Sequence, residues 1–208
     1  MSWNSYLLFV GASFLLCISP GPDMIYLLSR CVAQGPRAGM AATLGINVGC
    51  YVHLLAAITG LSAILMTSAL AFTIVKWAGA AYLIYLGISA LLDRSNLNLT
   101  GSKLRGRSLR AIFWQGVVSN VLNPKVAVFF LALLPQFVDQ QSGHVVGQLL
   151  LLGLTVNTLG LAVNLLTIAL SGRISAKLRE DGRMADRLRK AMGVTFIGLG
   201  ARLAAERA

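Results

Sequence analysis

Charge is scarce in this chain. Asp, Glu, Lys and Arg make up 12% of its 208 residues, about half the share a soluble domain carries. Cysteine is scarce as well: Cys17, Cys31 and Cys50 form no CxxC pair, and all lie in or beside apolar segments. An odd count without metal-ligand spacing excludes a disulfide framework and reads as small buried apolar side chains. No GxxxxGK[ST] phosphate loop occurs, which excludes direct ATP drive by this chain. Metal-ligand clusters are also missing, and no cofactor or metal is expected. No basic stretch precedes the first apolar block, so a cleaved signal peptide is not expected and the first helix stays in the mature protein.

What is present is hydrocarbon. The chain is 56% hydrophobic with a mean hydropathy of +0.73, and its apolar residues fall in blocks close to the roughly 20 residues that cross a bilayer. Six spans are expected, at Tyr6–Leu28, Gly39–Leu65, Leu70–Leu92, Ala111–Leu134, Val145–Leu170 and Ala191–Ala205. The last has a short uncharged run, Ala191–Ala201, so Arg202 must snorkel to the far surface. A five-span chain with a surface tail is the alternative. Between the halves, residues 93–110 carry Ser, Asn, Gly and basic residues without an apolar period, as a linker does. The segment Ile174–Met192 has apolar residues at near-helical spacing among basic ones, as a surface helix on an anionic leaflet would, but Gly182 interrupts it, and two short helical extensions of the flanking spans are an equal alternative.

The formal charge of +11 is sorted by loop. Arg30 and Arg37 fall between the first two blocks. Arg94, Lys103, Arg105, Arg107 and Arg110 fall between the third and fourth. Arg173, Lys177, Arg179, Arg183, Arg187, Arg189 and Lys190 fall between the fifth and the last, while the loops around Thr67 and Asp139 hold no Lys or Arg. That alternation follows the positive-inside rule, placing the basic loops in the cytoplasm and both termini outside. The charge reports orientation, so no nucleic-acid partner is expected.

The expected architecture is an all-α integral membrane protein forming one transporter domain, with halves at about 1–95 and 108–208. Three spans per half is an odd number, so the halves enter the membrane from opposite sides, as inverted repeats do. Both halves open on a helix that proline interrupts just before a charge, at Pro22-Asp23 and at Pro124-Lys125. A charge inside hydrocarbon costs about 2.5–3.5 kcal/mol on insertion scales and tends to face a cavity or partner. A helix broken at the same place frees backbone groups to hold a polar solute.

The first constellation is Ser19, Pro20, Gly21, Pro22 and Asp23. The prolines remove backbone donors, glycine tolerates unusual dihedrals, and the carboxylate can bind an ammonium group or carry a proton. The alternative is a kinked helix whose Asp23 is neutralised by Arg30 or Arg37. The second constellation is Asn120, Asn123, Pro124 and Lys125, with Gln115 upstream. Pro124 leaves the Asn120 carbonyl free, and Lys125 can hold a substrate carboxylate, pair with Asp23, or snorkel to an interface. Asn47, Asn157 and Asn164 read as interhelical hydrogen-bonding residues. His53 reads the same way, with a proton relay as the second option. Ala41, Gly45 and Gly49 form a ladder of small residues for close helix packing, as do Gly79 and Gly87. Ser19 and Lys125 are also the types of a Ser–Lys dyad, but nothing resembles an oxyanion site, so an enzyme is not expected.

These motifs resemble the LysE/RhtB family of amino-acid exporters. The likeness rests on Ser19-Pro20-Gly21-Pro22, on Gly39, Gly45 and Gly49, and on the run from Gly79 to Gly87. In the second half it rests on Phe113, Gly116, Asn120, Asn123-Pro124-Lys125 and Pro135-Gln136-Phe137. The resemblance implies a small carrier of the bacterial inner membrane, acting as a homodimer and expelling amino acids or related solutes against proton entry. It makes the two proline turns the substrate or coupling site. Export of cations or other small solutes on the same scaffold is the alternative.

Overall fold

The computed structural model describes residues 1–19, 21–61, 106–139 and 142–172 continuously, with scattered helical positions between 73 and 92 and between 190 and 205. All regular structure among these residues is helical. Helix α1 (Trp3–Ile18) starts on Ser2, whose hydroxyl accepts the Ser5 N–H, and ends at Ser19 in extended backbone. Residues before proline are pushed to that region. Helix α2 (Pro22–Gln34) resumes at 48° to α1, and Pro22 costs nothing at the first helical position, where no N–H bond is due. Gly35 closes α2 with a φ of 83°, and its N–H bonds the Cys31 carbonyl. Only glycine takes that left-handed conformation freely. Pro36 follows at once and opens α3 (Pro36–Ala56), which runs into a π turn over Ala57–Leu61.

A second broken helix lies further along the chain. Ser108 caps α4 (Leu109–Val121) by accepting the Ala111 N–H. After Leu122 the side chain of Asn123 caps α5 (Pro124–Val128), which continues through a π turn, Phe129–Leu133, and a 3-10 turn, Leu134–Phe137. The bend between α4 and this second segment is again 48°. Helix α6 (Val145–Ala169) completes the described core. The helical segments Pro36–Gly60 and α6, at 25 residues each, are long and apolar enough to cross a membrane alone. At 1.5 Å per residue each covers about 38 Å, more than the roughly 30 Å of hydrocarbon. Counting each bent pair as one span gives up to four. About half of the third and sixth expected spans, the segment 174–189, Gly79 and Pro20 lie outside the described residues.

Glycine governs the packing. The broadest contact among the described elements joins α3 to α4. Gly45 and Gly49 meet the α4 backbone near Phe113 and Val117, and a Cβ on Gly116 would stand 2.6 Å from the Ala42 carbonyl. Contacts advance together along both helices, so α3 and α4 run parallel. Ala41, the third member of that ladder, packs beside the apolar cluster of Leu27, Cys31, Ala42 and Ile112 instead. A Cβ on Gly87 would meet the Gly193 carbonyl at 2.6 Å, and one on Gly200 the Ala80 carbonyl at 2.9 Å. These contacts ascend on one side and descend on the other, so the two stretches are antiparallel.

Arg30 departs from expectation. It is no loop residue: α2 extends to Gln34, and Arg30 is buried within it. Its guanidinium donates to Gln34 and Gln115 Oε1 and lies 5.5 Å from the Tyr26 ring centroid. Gln34 in turn brackets the Arg107 peptide, donating to its carbonyl and accepting its N–H. Gln115 is thereby committed to this network, away from the site below. At the other face the Met1 ammonium lies 3.4 Å from Asp139.

Candidate functional site

The two breaks open onto one cavity of about 80 Å³, room for several waters. Ser19, Gly21 and Asp23 line it from the first broken helix, and Asn120 and Lys125 from the second. Asn47, Asn157 and Asn164 close it from α3 and α6. Asn157 is the midpoint of α6, and Asn47 is within one residue of the midpoint of Pro36–Gly60. The cavity therefore sits at mid-depth by residue count. It lies between two apolar clusters, one around Phe9, Phe129, Leu149 and Leu152 and the other around Leu27, Ala42 and Ile112.

Each charge is held by the opposite half. Asp23 stands in the first turn of α2, where the positive helix end favours an acid. Its Oδ1 accepts from Ser119 Oγ at 2.9 Å, and its Oδ2 from Asn120 Nδ2 at 2.9 Å and Asn123 Nδ2 at 2.8 Å. Lys125 Nζ donates to the Leu16 and Ser19 carbonyls at 3.1 and 3.0 Å. Those carbonyls belong to the end of α1, the negative pole that a cation complements. Asp23 and Lys125 thus share a cavity without pairing directly, and neither Arg30 nor Arg37 bonds to Asp23.

Several expectations change in detail. Gly21 has φ −156° and ψ −177°, extended backbone open to any residue, so it is not there for its dihedral freedom. Its lack of a side chain makes room: a Cβ would lie 3.2 Å from Lys125 Nζ. The Asn120 carbonyl is not left free, because His53 Nε2 bonds it at 2.9 Å. That imidazole stacks on Phe130 and stays outside the cavity lining. Asn123 does double duty, capping α5 through Oδ1 while Nδ2 holds Asp23. Lys125 engages the backbone carbonyl of Ser19 and not its hydroxyl, so no Ser–Lys dyad is assembled.

Sequence reasoning missed Ser119, whose spacing of four residues before Asn123 is its only signal. It also missed that the asparagines read as helix packing line the cavity. Asn47 Nδ2 does bond Asn157 Oδ1 at 2.7 Å. Yet Ser19 Oγ, Asn120 Oδ1 and Asn157 Nδ2, all buried in the cavity wall, have no hydrogen-bond partner among the described residues. A buried polar atom left unpaired costs about 1–3 kcal/mol. These three offer a ready mixture of donors and acceptors to a polar solute.

A family model for LysE type translocators matches residues 14–207. The chain belongs to that family. It is 37% identical over 210 residues to the homoserine/homoserine lactone efflux protein of Salmonella typhimurium, covering 99% of this chain and 97% of that one. An uncharacterized membrane protein of Vibrio cholerae is 34% identical over 206 residues, covering 99% and 98% of the two chains. A Bacillus subtilis membrane protein, also uncharacterized, is 27% identical over 205 residues, covering 95% and 97%. No solved structure gives a significant match. This LysE type translocator is therefore a membrane transporter and not an enzyme.

Proposed function

We propose that this translocator exports small polar amino acids, homoserine-like ones included, across the bacterial inner membrane in exchange for protons. The observation that carries the reading is the cross-half clasp: two opposite charges in one mid-depth cavity, each bound by the half that does not carry it. A zwitterion competes for both clasps at once. Its ammonium group takes the place of the amide donors at Asp23, and its carboxylate offers Lys125 an alternative to the α1 carbonyls. Ser19, Asn120 and Asn157 supply the remaining hydrogen bonds. The Salmonella relatives are named for efflux of homoserine and its lactone, which share an amino group.

Binding that loosens both clasps frees one half to rock against the other. Six spans in two inverted halves are the frame for that motion. In support, both broken helices bend by 48°, and both unbroken ones have 25 residues. The Asn47–Asn157 bond joins nearly equivalent midpoints, as residues straddling a two-fold axis would. Protonation of Asp23 would convert an acceptor oxygen into a donor opposite amide and hydroxyl donors, releasing the same clasp. The basic loops would face the cytoplasm and the termini the outside.

The test uses proteoliposomes preloaded with labelled homoserine under an imposed pH gradient. Efflux should follow the gradient in the wild type; in Asp23→Asn, which loses the carboxylate that holds the ammonium group, efflux should be weaker and what remains should depend little on the gradient. No gradient-driven efflux of any amino acid by the wild type defeats the proposal.

A further inference from the structure

We propose that a second site, on the outside of the bundle between the first turns of α3 and α4, binds the headgroup of an anionic phospholipid. An open groove of about 460 Å³ lies there, lined by Arg37, Met40, Leu44, Leu109, Arg110 and Phe113 among others. Arg37 and Arg110 are each the second residue of their helix. Because α3 and α4 run parallel, both guanidiniums and both positive helix ends gather at one end of the groove. Basic residues in a first turn oppose the helix macrodipole, which favours acids there. Neither arginine has a hydrogen bond or an ion pair among the described residues. Gly35 gives α3 no side-chain cap; Ala38 and Gly39 bond the Gly35 carbonyl, and among the described residues the Arg37 N–H of that turn has no partner.

The neighbouring sequence adds charge of the same sign. Residues 93–110 hold five basic residues against one acid, Asp93, and Gln34 fastens the end of that segment beside α2. The rest of the groove is hydrocarbon. Met40, Leu44, Val48, Val52 and Leu55 stand exposed along one side of α3, with Trp114, Val118 and Leu122 exposed on α4. A phosphate suits the paired guanidiniums, which bind it through parallel N–H bonds. Acyl chains suit the stripe below. A free anion would use only the arginines. A second copy related by a two-fold axis along the membrane normal would bring the same arginines toward each other. Basic pockets between membrane helices are a recognised form of lipid headgroup site.

The full-length protein in nanodiscs of phosphatidylcholine with phosphatidylglycerol provides the test, with retained lipid read by mass spectrometry of the intact particle. The wild type should retain phosphatidylglycerol in preference to phosphatidylcholine. Arg37→Gln with Arg110→Gln should weaken that retention about tenfold or more. Arg107→Gln, at the same end but outside the groove, should weaken it far less than the double variant does. Leu44→Trp fills the groove while keeping both arginines, and should also lose the lipid; it decides the matter alone if the charge variant does not insert. Retention equal to wild type in the charge variant or in Leu44→Trp overturns the proposal. So does equal loss in Arg107→Gln, or a changed oligomeric state with lipid retention intact.

Discussion

Where the first broken helix separates its segments by Ser19, Pro20 and Gly21, the second does so by Leu122 and Asn123 alone, and the charges that follow are held by different kinds of group. Asp23 is gripped by three side chains, Ser119, Asn120 and Asn123. Lys125 is gripped by two main-chain carbonyls. The wider first break lets the lysine reach the end of α1 past a residue with no side chain. The tighter second break is closed by an asparagine that both starts a helix and binds the acid. One backbone device, a proline-interrupted span, thus serves two electrostatic tasks that are not interchangeable.

The largest effect should come from exchanging the charges, Asp23→Lys together with Lys125→Asp. A plain ion pair would tolerate the exchange. Here a lysine would face three donors and an acid two carbonyls, leaving two buried charges uncompensated at about 3–5 kcal/mol each. Homoserine efflux should be abolished and the level in the membrane should fall; efflux at half the wild-type rate breaks the comparison. Next comes Asn123→Ala, which removes a helix cap worth about 1 kcal/mol and a hydrogen bond to a charge worth about 1.5–3 kcal/mol. Thermal unfolding in detergent should show a loss of about 2–4 kcal/mol.

Gly21→Ala sharpens the contrast from the other side. The new methyl presses on the Lys125 ammonium at 3.2 Å, an overpacking of about 1–2 kcal/mol, and initial efflux rates should drop severalfold. Rates at the wild-type level would mean the lysine has room to spare. Ser119→Ala should cost less than Asn123→Ala in the same unfolding measurement, about 1.5 kcal/mol, because it removes a hydrogen bond to the charge but no helix cap. A loss as large as that of Asn123→Ala would reverse the ranking.

Much of this arrangement was legible in the sequence because it is local chemistry. Pro22-Asp23 and Pro124-Lys125 announce both breaks, and α6 matches its expected bounds to one residue at its end. Gly45 and Gly49 announce a close crossing. What escaped depends on which helix stands opposite. The partners of Asp23 are about 100 residues away in sequence, and nothing in the spacing of a lone Ser119 distinguishes it from a packing serine. Arg30 looked like a loop charge because proline at 36 marks where α3 starts, not where α2 stops. Gly21 looked conformational because a void reserved for Lys125 is invisible until both segments are in place. The sequence also has Lys76 in the third expected span, a charge the proline-centred reading passed over; it lies outside the described residues.

The grip on Lys125 has a consequence for how such a carrier diversifies. Peptide oxygens are supplied by any residue, so the identities of Leu16 and Ser19 are not what anchors the ammonium. Their side chains, with that of Cys17, instead form part of the chamber wall. Under the proposed function, mutations can therefore reshape the space offered to cargo while the anchoring atoms stay in place, and selectivity can drift without dismantling the clasp.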